Sequence, residues 1–313
     1  MSEKKVVVVG ASNVDIKGRS ISAVYSRMKN PGRIKITAGG VGRNIAENLS
    51  RLGVKTVLLT AVGQKEFSRI ILDETEKAGV DTSRIFLADN EHSGIFMAII
   101  NSRGDLESSM SDMSILSFIT PDYILSQKDV FDEAHYVVLD ADIPVETLEL
   151  CIKLSKERGI PVCIEPVSPA KAQVMVPYLK DITITTPNRE EVEVLVGRSL
   201  QSSEDIRAAG LELLEKGLHY VIITLGPEGV YCASREADAF ISSVSTVVVD
   251  SVGAGDALVG GVVSGFLSGF GFMDSVKRGV AAATLTLRTG HAVSPEISLA
   301  AIDEILGRIQ IGR

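Results

Sequence analysis

The chain has 313 residues, about twice the length that one hydrophobic core comfortably serves, which allows two ordinary domains or one large α/β domain with an appendage. Hydrophobic residues at 45% and charged residues at 23% exclude a disordered or fibrous chain. Against 32 basic side chains stand 40 acidic ones, a formal charge of -8, and no Lys/Arg run exceeds two residues. That excludes nucleic-acid polymers and anionic membranes as partners.

The opening MSEKKVVVVG has only four consecutive valines, too short a core for a secretory signal. Ended by Gly10, the run reads as a strand buried on both faces. Residues 14–38 follow with short alternating patterns broken by Pro31-Gly32, the signature of a hairpin. After a glycine cluster, Ile45, Leu49 and Leu52 fall at helical spacing over 44–52, and 55–63 is again strand-like. Residues 92–112 repeat the hairpin pattern around Arg103-Gly104. The two hairpins predict a small sheet beside the main body, suited to a lid that excludes water during chemistry.

Further on, strand-like runs at 136–142, 161–167, 181–187 and 220–226 alternate with helical patterns such as Leu148, Cys151, Ile152 and Leu154. Strand then amphipathic helix, repeated, predicts βαβ units and a mainly parallel sheet covered on both faces. STVVVD at 245–250 reads as a last strand leading into a helix with Leu258, Val262 and Phe266. The longest uncharged stretch, Ala257 to Met273, carries five glycines and is too short to span a bilayer. Cys151, Cys163 and Cys232 are too few and scattered for a disulfide framework or a zinc site. A cytoplasmic protein is expected.

The strongest chemical signal is Asp250-Ser251-Val252-Gly253-Ala254-Gly255-Asp256. A glycine turn opening a helix points backbone N–H groups and the helix dipole at an anion. Asp256, in the first turn, is placed to take a proton from a hydroxyl attacking a phosphate; alone it could equally be an acid at a helix N-terminus. Leucine at 258 denies a third dinucleotide-fingerprint glycine, and no Walker-type P-loop exists. Gly39-Gly40-Val41-Gly42-Arg43-Asn44 lets backbone approach a ligand, while Asn13, Asp15 and Asn44 offer the donors and acceptors that vicinal hydroxyls need. Asn188 and Glu191 have capping-box spacing, or could hold a hydrated Mg²⁺. Thr224-Leu225-Gly226-Pro227-Glu228-Gly229 ends a strand with a turn able to meet phosphates or a ribose. His92, His135, His219 and His291 form no catalytic or metal-binding spacing.

These four motifs, in this order and across essentially the whole chain, resemble the ribokinase-type (PfkB) sugar and nucleoside kinases. The runs 30–44, 111–114 and 165–168 look most like the pseudouridine kinases of that family, with Glu165 where relatives often carry Asp. The resemblance implies a three-layer α/β/α sandwich with a mainly parallel sheet and a small β-sheet lid. It implies one domain over 1–313, with lid segments at 14–38 and 92–112. Asp256 then matches the general base for a 5′-hydroxyl, and Gly253, Ala254 and Gly255 the anion hole for the γ-phosphoryl group.

Asn13, Asp15, Gly40 and Asn44 match ribose contacts, with Asp112, Lys35 and Arg33 as contacts for a uracil edge by their placement in the lid segments. Asn188, Thr224, Gly226 and Gly229 match the ATP site, and Glu191 with Asn188 the group that organises Mg²⁺ through water. Many members also bind K⁺, for which Asp250, Val252, Gly290 and Ser294 match the two loops, with Arg288 and His291 nearby. In several members the lid mediates homodimerisation. The implied activity is ATP-dependent phosphorylation of pseudouridine. Ribokinase or another nucleoside kinase is the alternative within the fold, and a non-catalytic nucleoside binder the alternative outside enzymes. A hexose phosphate kinase would want cations for a second phosphate, for which the early motif offers chiefly Arg43.

Overall fold

The computed structural model describes residues 4–25 and 27–312; Met1–Glu3 of the opening segment, Ser26 of the first hairpin and Arg313 lie outside the described residues. Its strands are β1 (Lys5–Val9), β2 (Asn13–Ser20), β3 (Gly32–Gly39), β4 (Lys55–Leu59), β5 (Ala61–Gly63), β6 (Phe86–Ala88), β7 (Gly94–Ile100) and β8 (Leu106–Asp112). They continue as β9 (Tyr136–Asp140), β10 (Val162–Glu165), β11 (Ile184–Thr185), β12 (Tyr220–Thr224), β13 (Val230–Ser234), β14 (Asp238–Ile241) and β15 (Ile311–Gly312). The helices are α1 (Val41–Arg51), α2 (Ser68–Lys77), α3 (Pro121–Ser126), α4 (Asp129–Asp132), α5 (Val145–Glu157) and α6 (Pro169–Met175). After them come α7 (Arg189–Val196), α8 (Ser203–Glu215), α9 (Ala254–Leu267), α10 (Phe272–Leu287) and α11 (Leu299–Leu306).

Nine strands form the main sheet in the order β15-β14-β13-β12-β11-β10-β9-β1-β4. From β12 to β4 every pairing is parallel, and β13, β14 and β15 close one edge antiparallel. The valine run shows why helices cover both faces. Successive side chains alternate across a strand, so Val7 and Val9 pack with Leu148, Cys151, Val192 and Leu213 on one side. Val6 and Val8 pack with Ile45, Leu49, Leu258, Val262 and Val280 on the other. The result is the α/β/α sandwich expected. All three cysteines are free and buried. Among the described residues no helix is long and apolar enough to cross a membrane.

The two hairpins pair into a second sheet, β3-β2-β7-β8, through the parallel pairing of β2 with β7. Its two faces differ in chemistry. Ile36, Ile16, Met97 and Met110 form one cross-strand row, and Ile34, Met97, Ile99 and Met110 on that face are exposed. The rows of the opposite face carry Asp15, Lys17 and Lys35. One expected strand is absent. Residues 242–252 cross the end of the molecule without joining a sheet, and Val247, Val248 and Val249 are exposed. The edge of β14 is taken by β15 from the far end of the chain, which leaves the valines of 245–250 no strand to pair with.

Candidate active site

At the carboxyl ends of the parallel strands, the crevice position at which open α/β sheets bind ligands, the starts of α1 and α9 are tied together by Asn44 and Asp256. Gly253 is the N-cap of α9, with φ 82°, and a Cβ there would strike the Ala292 carbonyl oxygen. Only glycine fits, because an L side chain disfavours that backbone conformation and the space is already filled. The first intrahelical bond runs from Ala257 N–H to Gly253 O at 2.9 Å. Ala254 donates weakly to Ser251 O at 3.3 Å, whereas the amides of Gly253 and Gly255 meet no protein acceptor among the described residues. At Gly255 no atom lies within 4 Å of where a Cβ would stand, so the helix end opens onto free space.

Asp256 lies in the first turn of α9 and is 8% exposed. Asn44, near the start of α1, donates from Nδ2 to Asp256 Oδ2 at 2.8 Å, while Asn44 Oδ1 is buried without a partner. Burial is the main cause that pushes the Asp256 carboxyl up from 3.8 to about 7; the Asn44 bond opposes it, and the charges of Asp140 and Asp15 reinforce it. A carboxylate poised near neutrality is a competent proton acceptor.

The other sugar-motif residues converge nearby. Asn13 Nδ2 donates to Asp15 Oδ1 at 2.7 Å, and burial raises the Asp15 carboxyl above its ordinary value. Gly40, the N-cap of α1 with φ 101°, packs so tightly that a Cβ would lie 2.5 Å from Ala11 O. Arg43, beside Asn44, is buried and donates both terminal nitrogens to Glu47 Oε2 at 2.6 Å. Glu47 also pairs with Arg51, and the Arg43 charge is felt beyond α1 by Asp15 and Asp256.

Asn188 and Thr224 meet through a parallel β-bridge, which brings the two nucleotide motifs side by side. The capping box forms, with Glu191 N–H donating to Asn188 Oδ1 at 3.0 Å and Asn188 N–H to Glu191 Oε2 at 2.8 Å. Glu191 Oε1 makes no protein hydrogen bond among the described residues, which fits a hold on hydrated Mg²⁺ through water. No group of three or more His, Cys, Asp or Glu side chains among the described residues is placed to bind a metal directly. Gly226, with φ 58°, and Gly229 frame the turn after β12.

Four expected site residues have other partners in the structure. Asp112 aligns through Ile95 with Val14, so it stands on the face opposite Asp15; its carboxylate caps the following turn by accepting from Ser114 N–H and Oγ. It also sits on β8, the edge away from Lys35 and Arg33 on β3, about 14 Å across three strand spacings. These residues therefore do not converge on one base edge. Asp250 of the expected K⁺ loop accepts Lys17 Nζ at 2.6 Å on Oδ2 and Val252 N–H at 3.0 Å on Oδ1. Gly290 O accepts Lys35 Nζ at 2.7 Å. Ser294 is buried, its Oγ accepting from Glu296 N–H and its carbonyl from Ile297 N–H.

Asp140, which motif reading passed over, ends β9 fully buried. Its Oδ2 accepts from Ala11 N–H at 2.8 Å and Gly42 N–H at 3.2 Å, tying the two glycine turns together. Burial and the charge of Asp142 push it up to about 6. Its sequence signal was an acid closing an otherwise apolar run, YVVLD. Glu165, at the end of β10, accepts from Thr186 Oγ1, and burial lifts its carboxyl well above the ordinary value.

With this geometry in place, the similarities are specific. Residues 3–298 match the model of the pfkB family carbohydrate kinases. The chain is 32% identical over 302 residues to a pseudouridine kinase of Escherichia coli, covering 96% of each protein. It is 28% identical to a guanosine-inosine kinase of Exiguobacterium acetylicum, covering 94% of this chain and 98% of that one. An Arabidopsis thaliana ribokinase structure complexed with ribose and ATP superposes with a TM-score of 0.80 at 21% identity, covering 98% and 99% of the two chains. This chain belongs to the pfkB family of carbohydrate kinases. It is a phosphotransferase with an alcohol acceptor.

Proposed function

We propose that the protein transfers the γ-phosphoryl group of ATP to the 5′-hydroxyl of pseudouridine, giving pseudouridine 5′-phosphate. The observation that carries the chemistry is the buried Asp256 carboxylate, held by Asn44 one turn from the unpaired amides of Gly253 and Gly255. Asp256 takes the proton of the attacking hydroxyl, and those amides meet the charge on the transferring group. Asn13, Asp15, Gly40 and Asn44 hold the ribose; Asn188, Thr224, Gly226 and Gly229 hold ATP. Glu191 reaches Mg²⁺ through water, and the ion, when bound, neutralises charge on the phosphate oxygens. The small sheet closes over the sugar.

The substrate assignment is supported by the pseudouridine kinase of Escherichia coli, similar over nearly the whole length of both chains. Arg43 gives both terminal nitrogens to Glu47, which speaks against its holding a second phosphate on the sugar. The exposed apolar face of the small sheet suits a second copy of the chain, giving a homodimer through the lid. A steady-state assay with ATP tests the reading on pseudouridine, uridine, inosine and ribose. Pseudouridine is expected to give the highest kcat/KM by about tenfold or more, the discrimination available from hydrogen bonds to a base edge. Preference for ribose or an N-linked nucleoside would replace the substrate and leave the phosphoryl transfer standing. Failure of every acceptor to raise ATP consumption would favour a binding protein.

A further inference from the structure

Lys17 and Lys35 are cross-strand partners on β2 and β3, on the face of the small sheet that also carries Asp15. Both reach out of that sheet to the foot of α9. Lys17 Nζ lies 2.6 Å from Asp250 Oδ2, with the two side chains only 13% and 23% exposed. Lys35 Nζ donates to Gly290 O at 2.7 Å. The two loops they grip are the walls of the anion hole, because the Gly253 turn packs against the carbonyl of Ala292.

The residues present do not fit a further monovalent cation at this place. Both carboxylate oxygens of Asp250 are engaged, and the Gly290 carbonyl already accepts an ammonium. A potassium ion there would join two ammonium groups already in place, in a half-buried setting where like charges repel strongly. We propose that Lys17 and Lys35 are positioning residues whose ammonium groups stand in for that ion, so that this kinase works without an added monovalent cation. This rests on the phosphoryl-transfer reading above.

The arrangement has two physical consequences. Pairing Asp250 with Lys17 cancels an anion three residues from Gly253, where it would otherwise repel the incoming phosphoryl group. Because Lys17 follows Asp15 on the same strand face, seating the sugar against Asp15 and ordering the anion-hole loops become one motion of the small sheet.

The test compares wild type and Lys17→Met in potassium chloride and in tetramethylammonium chloride at equal ionic strength, about 0.1 M. Melting temperature is read alongside turnover. Wild-type turnover is expected to agree within about twofold between the two salts, with no K⁺-specific rise in melting temperature. Lys17→Met is expected to lose about tenfold or more in tetramethylammonium, on the scale of removing a transition-state charge contact, and to recover in potassium as the ion enters the vacated place. Wild-type turnover stimulated tenfold by potassium overturns the proposal. So does a Lys17→Met protein indifferent to its substitution, or one that potassium fails to restore. If Lys17→Met does not fold, the wild-type comparison decides by itself. If no acceptor is phosphorylated, a potassium-specific rise of several degrees in the wild-type melting temperature still overturns the ion replacement, and its absence supports it, separately from the kinase reading.

Discussion

The crevice floor and the small sheet solve opposite problems with opposite materials. On the floor, polar groups are buried and held in place, Asp140 by the backbone amides of Ala11 and Gly42 and Asp256 by the Asn44 side chain. The small sheet sorts its groups by strand alternation, with Lys17, Lys35 and the buried Asp15 on one face and exposed isoleucines and methionines on the other. Burial on the floor perturbs the carboxylates and makes them reactive. Under the proposed function, chemistry belongs to the buried floor and recognition to the small sheet.

The sharpest way to break this division is Asp256→Asn. Loss of the base is expected to cut turnover by about 10²- to 10⁴-fold, measured with saturating ATP and pseudouridine. The same change should stabilise the fold at pH 8. Asp256 binds its proton more tightly in the folded chain, at about 7, than at the ordinary value of 3.8. Its contribution is therefore fully present below about pH 4 and is lost as pH rises through about 7, a cost on the order of 4 kcal/mol that the amide removes. A melting temperature at pH 8 that fails to rise would place the carboxylate in water rather than in the buried floor.

Next in size is the pH profile of wild-type kcat/KM. It should climb about 50-fold between pH 5 and pH 7 as the Asp256 carboxylate ionises, then level off. A flat profile across that range would remove Asp256 from the proton transfer. Smaller again is Gly253→Ala, which forces a Cβ onto the Ala292 carbonyl at a positive φ. It should lower turnover about tenfold and cost about 1–3 kcal/mol in urea unfolding, the scale of backbone strain at such sites. The least effect on chemistry is expected from Ile34→Glu on the outer face of the small sheet. Sedimentation should then show monomer where wild type shows dimer, with turnover within about threefold, as for a surface exchange remote from the floor. A wild-type chain that sediments as monomer rejects the dimer outright.

Much of the architecture was open to reading along the chain. VVVVG and its successors announce parallel strands because a strand buried on both faces has nowhere to put polar side chains. Asp256 was visible because glycines on either side of Ala254 prepare a helix end for an anion. The same reading mistook STVVVD for a strand: valines report β propensity, but whether a neighbouring strand is free to pair is decided by where β15 lies. Asp112 was misplaced for a related reason. One residue along a strand reverses the face, and only the register of β7 with β8 shows which face is which.

Local pattern and turn chemistry, both short-range, were enough to name most of the parallel strands, the helix that opens at Gly253 and the acid in its first turn. Contacts between distant parts of the chain were settled by packing alone. Asn44 meets Asp256 across 212 positions, Lys17 meets Asp250 across 233, and Lys35 meets Gly290 across 255. Such meetings leave no periodic trace in the chain, because they depend on how two sheets and a helix end come to rest against one another.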